Sequence, residues 1–155
     1  YELIPEAVDL VPVMNRIINE VGAITRAKNM TVALLKGEAP LADGEEVIAR
    51  GESLLFYSLF SNLIKNAAEA APRGGAVTIT LAPGSASVAN HNPGAVPKEI
   101  RGSFFQKYAT FGKPRGIGLG TYSARLIAET LGGSSGMDTS EEAGTTVTVG
   151  LPPTG

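Results

Sequence analysis

Apolar side chains take up helical spacing soon after the chain begins. Val11, Met14, Ile17, Ile18, Val21 and Ile24 fall mostly at steps of three and four and predict a helix. Asp9 stands where an N-cap belongs. Residues 1–4 ahead of it read as a short edge strand. Residues 30–35 form an apolar run broken by Gly37 and predict a strand; residues 46–49 predict another, before a turn at Gly51. Residues 52–71 carry the strongest helical pattern and stop at Pro72 and Gly74-Gly75. Alternation over residues 76–81 predicts a strand, and residues 85–89 predict its partner across a Pro83-Gly84 turn. Residues 90–116 are mostly polar and glycine-punctuated, with one helix expected over 97–108. Residues 118–131 read as a helix with Leu119, Tyr122, Leu126 and Thr130 down one side, and strands over 133–139 and 145–151 complete a sheet. The expected fold class is α+β: a two-layer sandwich, a mixed sheet with helices packed on one face.

Composition narrows the chemistry. The 155 residues suit one domain with a single core, expected to span 1–155, and 43% hydrophobic with 18% charged residues is ordinary globular usage. Because it opens at Tyr1 rather than Met, the chain is expected to be a piece of a longer protein. A formal net charge of −2 offers no basic excess for nucleic acid, so none is expected as a partner. The absence of cysteine excludes disulfides and thiolate metal sites, and His91 as the only histidine excludes a histidine-rich zinc site. No apolar run is long enough to cross a bilayer, and no signal peptide is visible.

Four features carry candidate chemistry. On the 52–71 helix, Ser58, Asn62, Asn66 and Glu69, with Arg73 beyond, share one stripe, while Leu55, Leu59, Leu63 and Ala67 form the opposite, core-facing stripe. Mid-helix asparagines are poor choices for propensity, but an amide oxygen on a rigid helix is a suitable hard ligand for Mg²⁺. Alone, the stripe reads first as a solvated face. Gly116-Ile-Gly118-Leu-Gly120-Thr121 runs directly into a helix, where glycine backbone and a helix N-terminus favour phosphate; alone, it is equally an ordinary loop. It lacks the Gly-Lys-Ser/Thr of a Walker loop and does not follow the first strand of a dinucleotide fold. Asn90-His-Asn-Pro-Gly94 ends a strand and could present a side chain to a base edge, or be simply a turn. Gly144-Thr-Thr146 opens the last strand and says little by itself.

Their order says more. Asn-x-x-x-Asn-Ala on a helix, a strand ending Asn-Pro-Gly, Phe104-Phe105, Gly-x-Gly-x-Gly, then Gly-Thr before a terminal strand ending Leu-Pro resembles the catalytic domains of sensor histidine kinases. These belong to a wider ATPase group with DNA gyrase, the ninety-kilodalton heat-shock chaperone and mismatch-repair ATPases. The resemblance covers about residues 54–152. The stretch from Phe105 to Lys113, followed by Gly-Leu-Gly-Thr-Tyr-Ser, looks most similar to kinases of the hybrid two-component type.

The resemblance implies a Bergerat-type ATP-binding fold with ATP and Mg²⁺ as cofactors. It implies that Asn66 supplies the Mg²⁺ oxygen, with Asn62 and Glu69 beside it. Asn92 would read the adenine amino group, Gly94 floor the adenine pocket, and Thr145 back it through water. Gly116, Gly118, Leu119, Gly120 and Thr121 would hold the phosphate end. Residues 90–116 would form a lid, with Tyr108 as aromatic anchor and Lys107, Lys113 and Arg115 as phosphate contacts. The implied partners are a helical-hairpin phosphoacceptor domain of the same kinase and a response regulator or receiver domain. The full-length protein is expected to be a homodimer through the missing hairpin. The implied location is cytoplasmic, with membrane anchoring open for the whole kinase.

The sequence also departs from the family pattern. An amide stands at Asn92 where the family usually has an aspartate, with Asn90 the alternative if a residue is inserted before Pro97. Glu69 stands where many of these kinases have a basic residue. No phosphoacceptor helix is present, and His91 reads as a strand-end residue. Hydrolysing relatives place a glutamate one turn before the metal-binding asparagine; here that position is Asn62, which cannot act as a base. A hydrolysing conformational ATPase and a degenerate nucleotide- or partner-binding domain are the rival readings.

Overall fold

The computed structural model describes residues 1–82, 87–106 and 120–152. Asp9 caps the first helix as expected: its Oδ1 accepts from Val11 N at 3.1 Å and from Val47 N at 3.1 Å. One carboxylate thereby starts helix α1 (Leu10–Glu20) and ties it to the segment before strand β4 (Ile48–Gly51). The apolar series predicted as one helix is two, because the chain turns at Val21 before α2 (Gly22–Ala27). Met14 and Ile17 are wholly buried against the longer helix α3 (Ser53–Ala70).

Two expectations near the N-terminus are corrected. Residues 1–4 form no strand. Tyr1 OH donates to Glu52 Oε1 at 2.6 Å and Ile4 N to Glu52 Oε2 at 3.1 Å, so one side chain rather than a ladder holds them. The strand begins after Pro5, as β1 (Glu6–Asp9), and pairs antiparallel with β4. The second strand therefore lies over Ile48–Gly51, not 46–49, and Gly51 is no turn. It is buried in the ladder, where an added Cβ would strike Phe56 and Leu131.

The main sheet contains β2 (Thr31–Lys36), β3 (Ala39–Pro40), β5 (Ala76–Leu81), β6 (Ser87–Asn92), β7 (Ser134–Ser140) and β8 (Gly144–Gly150), in the order β3-β2-β5-β6-β8-β7. Only β2 and β5 pair in parallel; every other neighbour is antiparallel. Period-two alternation puts Val77, Ile79, Leu81, Val88, Val147 and Val149 on the buried face. Helices α3 and α4 (Gly120–Thr130) pack on the sheet and α1 packs on α3, giving the expected two-layer α+β sandwich.

Two further elements differ from expectation. Of the helix predicted over 97–108, the described residues 97–106 hold a 3₁₀ segment at Lys98–Ser103, where Gly102 is a poor α-helix former. Helix α4 buries Thr121, Ala124 and Ala128, while Leu126 and Thr130 are exposed. Small residues face inward because α4 packs directly on α3, and close helix packing leaves room for little more than a methyl.

Candidate functional site

The sheet sorts the candidate residues into rows. Registers across β6, β8 and β7 align Asn92 with Thr145 and Thr145 with Thr139; one pair further in they align Asn90 with Val147 and Val147 with Met137. Asn90, Asn92 and Thr145 are each only 4% exposed, on the face that the helices cover. Segment 90–92, expected to open a lid, is instead the end of β6, hydrogen-bonded in the sheet.

Asn92 folds its side chain back over the bend that follows it. Its Oδ1 accepts from Gly94 N at 2.8 Å, which fixes the amide's orientation and leaves one lone pair of that oxygen uncommitted. Gly94 lies against the end of α3: a Cβ there would sit 2.8 Å from the Ala70 carbonyl oxygen and 3.0 Å from Asn92 Oδ1. The Gly94 carbonyl accepts from Thr145 Oγ1 at 2.6 Å. At Gly144 the backbone has φ 79°, and a Cβ would collide with the Asn92 carbonyl, so the turn into β8 needs glycine there. Asn92, Gly94 and Thr145 therefore form one corner, against the C-terminal end of α3.

The polar stripe of α3 leads to this corner. Asn62 and Asn66 are half-buried one turn apart, and Ala70, which touches Gly94, is one turn beyond Asn66. Glu69 and Arg73 are exposed, and Arg73 donates to the Ala27 carbonyl at 3.0 Å, beside α2. The opposite stripe is broader than predicted. It includes Phe56, Phe60 and Ile64 as well as Leu59, Leu63 and Ala67, with Leu55 only partly buried. Among the described residues no cluster of three or more His, Cys, Asp or Glu side chains forms a metal cage.

At the start of α4, Gly120 is exposed and Thr121 is buried, its hydroxyl donating to the Phe104 carbonyl at 2.6 Å. That bond ties the helix N-terminus to the Phe104-Phe105 pair, whose rings meet edge to face at 4.9 Å. Lys107, Tyr108, Lys113, Arg115, Gly116, Gly118 and Leu119 lie outside the described residues, as does the Pro83-Gly84 turn. His91 is on the opposite face of β6 from Asn90 and Asn92, with Nε2 2.8 Å from the Ala143 carbonyl oxygen; it is a strand-end residue, as the pattern suggested.

Asn90, the alternative to Asn92, sits between Ile79 and Val147, and neither amide atom has a hydrogen-bond partner among the described residues. Two participants escaped the sequence pattern. Lys28, the residue after α2, donates to the Ala68 and Glu69 carbonyls at 2.8 and 3.0 Å and so satisfies the C-terminus of α3. Thr139 lies 2.8 Å from Thr145, oxygen to oxygen. No short motif announces Lys28 or Thr139: Lys28 acts 40 residues along the chain, and Thr139 is an ordinary strand position.

Comparison with known proteins shows the family and the fold. Residues 51–155 match the family described as histidine kinase-, DNA gyrase B- and HSP90-like ATPase, and the chain belongs to that family. Among curated proteins, the sensor protein IrlS of Burkholderia pseudomallei is 32% identical over 111 residues, covering 66% of this chain and 24% of its own length. The chain thus spans about a quarter of that relative. Among solved structures, a mycobacterial sensor histidine kinase, MprB, has a TM-score of 0.77 at 23% identity, covering 97% of this chain and 98% of its own. The catalytic domain of histidine kinase ThkA has a TM-score of 0.78 at 22% identity, covering 99% and 97%. The fold is that of histidine kinase catalytic domains.

Proposed function

We propose that this domain binds Mg·ATP and presents the γ-phosphate to a histidine on a separate helical hairpin of a two-component sensor kinase. The observation that carries the proposal is the corner built by Asn92, Gly94 and Thr145 at the end of β6, lying against the helix that bears Asn62 and Asn66. Family membership supports the nucleotide, and the histidine kinase folds among its structural neighbours support the kinase reading.

Within this reading Asn92 accepts from the adenine amino group through the lone pair that Gly94 leaves uncommitted. Gly94, with no side chain, lets the bend lie close to the end of α3 and to the Asn92 amide, so that its backbone floors the base pocket. The half-buried Asn66 amide suits Mg²⁺, which takes one or two protein oxygens and completes its shell with phosphate and water, so a carboxylate cage is not required. The ion when bound neutralises phosphate charge. The backbone N–H groups at the start of α4 face negative charge at the phosphate end, with the Gly116–Gly120 segment leading into them. Phosphoryl transfer needs positioning more than covalent chemistry, and the nucleophile comes from the hairpin. Asn62, one turn before Asn66, cannot take a proton from water, which separates this site from hydrolysing members of the family.

The test is calorimetric titration with Mg·ATP. The parent chain should bind, and Asn66→Ala should lose the Mg²⁺-dependent part of the affinity while keeping the parent's circular dichroism. Asn66→Asp should retain part of it, because a carboxylate also suits Mg²⁺. A parent that binds no nucleotide would make this a degenerate, partner-binding domain.

A further inference from the structure

Threonine 145 has one hydroxyl hydrogen, and the 2.6 Å bond to the Gly94 carbonyl uses it. The 2.8 Å contact between Thr145 Oγ1 and Thr139 Oγ1 is therefore made by the hydrogen of Thr139. Thr139 Oγ1 in turn accepts from Val96 N at 2.9 Å. The chain of bonds runs in one direction, from Val96 N–H through Thr139 and Thr145 to the Gly94 carbonyl. It begins and ends on the same short segment. Residues 94–96 lie outside every strand, so the two hydroxyls do for that bend what a ladder does elsewhere. A chain in which each hydroxyl both donates and accepts polarises along its length, so its members act together.

We propose that Thr139, on the edge strand β7, is a positioning residue for the base pocket, acting through Thr145 to hold the Gly94–Val96 bend in its binding form. The proposal rests on the nucleotide-site reading above. Thr139 touches no nucleotide in this account. Its hydroxyl fixes the direction of the Thr145 hydrogen and the height of the Gly94 floor beneath the base. Without it, Val96 N–H loses its acceptor and Thr145 loses its donor, and the free protein spends only part of its time with the bend formed. Apparent affinity falls by that fraction.

Titration with Mg·ADP, Mg·ATP and Mg·GTP separates this from a purely structural role. Thr139→Val keeps the side-chain shape and removes the hydroxyl; Thr139→Ser keeps the hydroxyl. The Val variant should bind Mg·ADP and Mg·ATP roughly tenfold more weakly, the scale of one lost buried partner, with the ATP-to-GTP preference reduced. The Ser variant should return close to the parent. A Val variant that melts earlier yet binds like the parent would overturn the proposal and leave the nucleotide site standing. Absence of binding by the parent would overturn both. Amide exchange of the parent supplies the arm that does not depend on a variant folding. Val96 N–H should be protected in the free protein, and exchange there at the rate of an unbonded amide would also overturn the role assigned to Thr139.

Discussion

Asn92 and Asn90 are separated by one step of the strand repeat, and each could present an amide to a base. Their surroundings differ. Asn92 has Thr145 across the ladder and Gly94 N–H on its oxygen; Asn90 has Ile79 and Val147 beside it and, among the described residues, no partner for either amide atom. A carboxylate at position 92 would keep the bond to Gly94 and add charge to the bond with the adenine amino group. Asn92→Asp should therefore tighten ATP by about 1 kcal/mol, the difference between neutral and charge-assisted bonds. It should also sharpen rejection of GTP, whose carbonyl oxygen a carboxylate repels. A carboxylate at position 90 would be desolvated in an apolar row, so Asn90→Asp should lower the melting temperature. Competition titrations of ATP against GTP on both variants read this out. Altered base preference in Asn90→Asp alone would move the reading position one pair inward.

Helix α3 is the element on which the molecule depends. Its apolar face anchors the core, with Phe56 and Phe60 stacked at 6.2 Å, and its other stripe carries the amides of Asn62 and Asn66. Phe60→Ala should cost about 3–5 kcal/mol in urea denaturation, as expected for a large side chain removed from a packed core. Nucleotide affinity should fall with it, because Asn62 and Asn66 are held by the same helix. The outer side of α3 meets α1 through an exposed cluster: Tyr57 OH donates to Glu20 at 2.7 Å, and the Arg16 guanidinium lies 4.2 Å from the Tyr57 ring centre. The bond to Glu20 holds the phenolic proton and raises the Tyr57 pKa above its ordinary value of 10.0. The contribution to stability is present below pH 10 and is lost as pH rises through the raised value. Glu20→Gln should bring the tyrosine titration of this ring back toward the ordinary range, read by ultraviolet absorbance at alkaline pH.

At the scale of the whole molecule, the chain covers 24% of the length of the sensor protein it matches, and the described residues contain no helix long and apolar enough to cross a membrane. On the proposed function, a hairpin domain must supply the histidine. The isolated chain should then neither label itself nor sustain hydrolysis. Incubation with γ-labelled ATP checks this: turnover within the enzymic range of ~1–10³ per second, or acid-labile label on His91, would contradict it. Adding a phosphoacceptor hairpin of a matching kinase should produce label on the hairpin's histidine only.

Local patterning was enough to reveal most elements and the family. Helix α3 announced itself through periodicity and a proline-glycine stop, and strand β5 through alternation, because those signals live within a few residues of one another. The order of Asn62, Asn66, Asn92, Gly94, Gly120 and Thr145 along the chain carried the resemblance to the family for the same reason: each belongs to a short motif. Register was not legible. The position of β4 follows from pairing with β1, and the inward face of α4 from its closeness to α3. Residues 90–92, expected to open a lid, are strand instead, since cross-strand bonds to β5 and β8 outweigh the polar composition of Asn90, His91 and Asn92. Lys28 at the end of α3 and Thr139 behind Thr145 are joined to the site across 40 and 6 residues by hydrogen bonds that exist only once the layers are packed. A sequence states what each residue can donate or accept; which partner stands 2.8 Å away is decided when the sheet and helices close over one another.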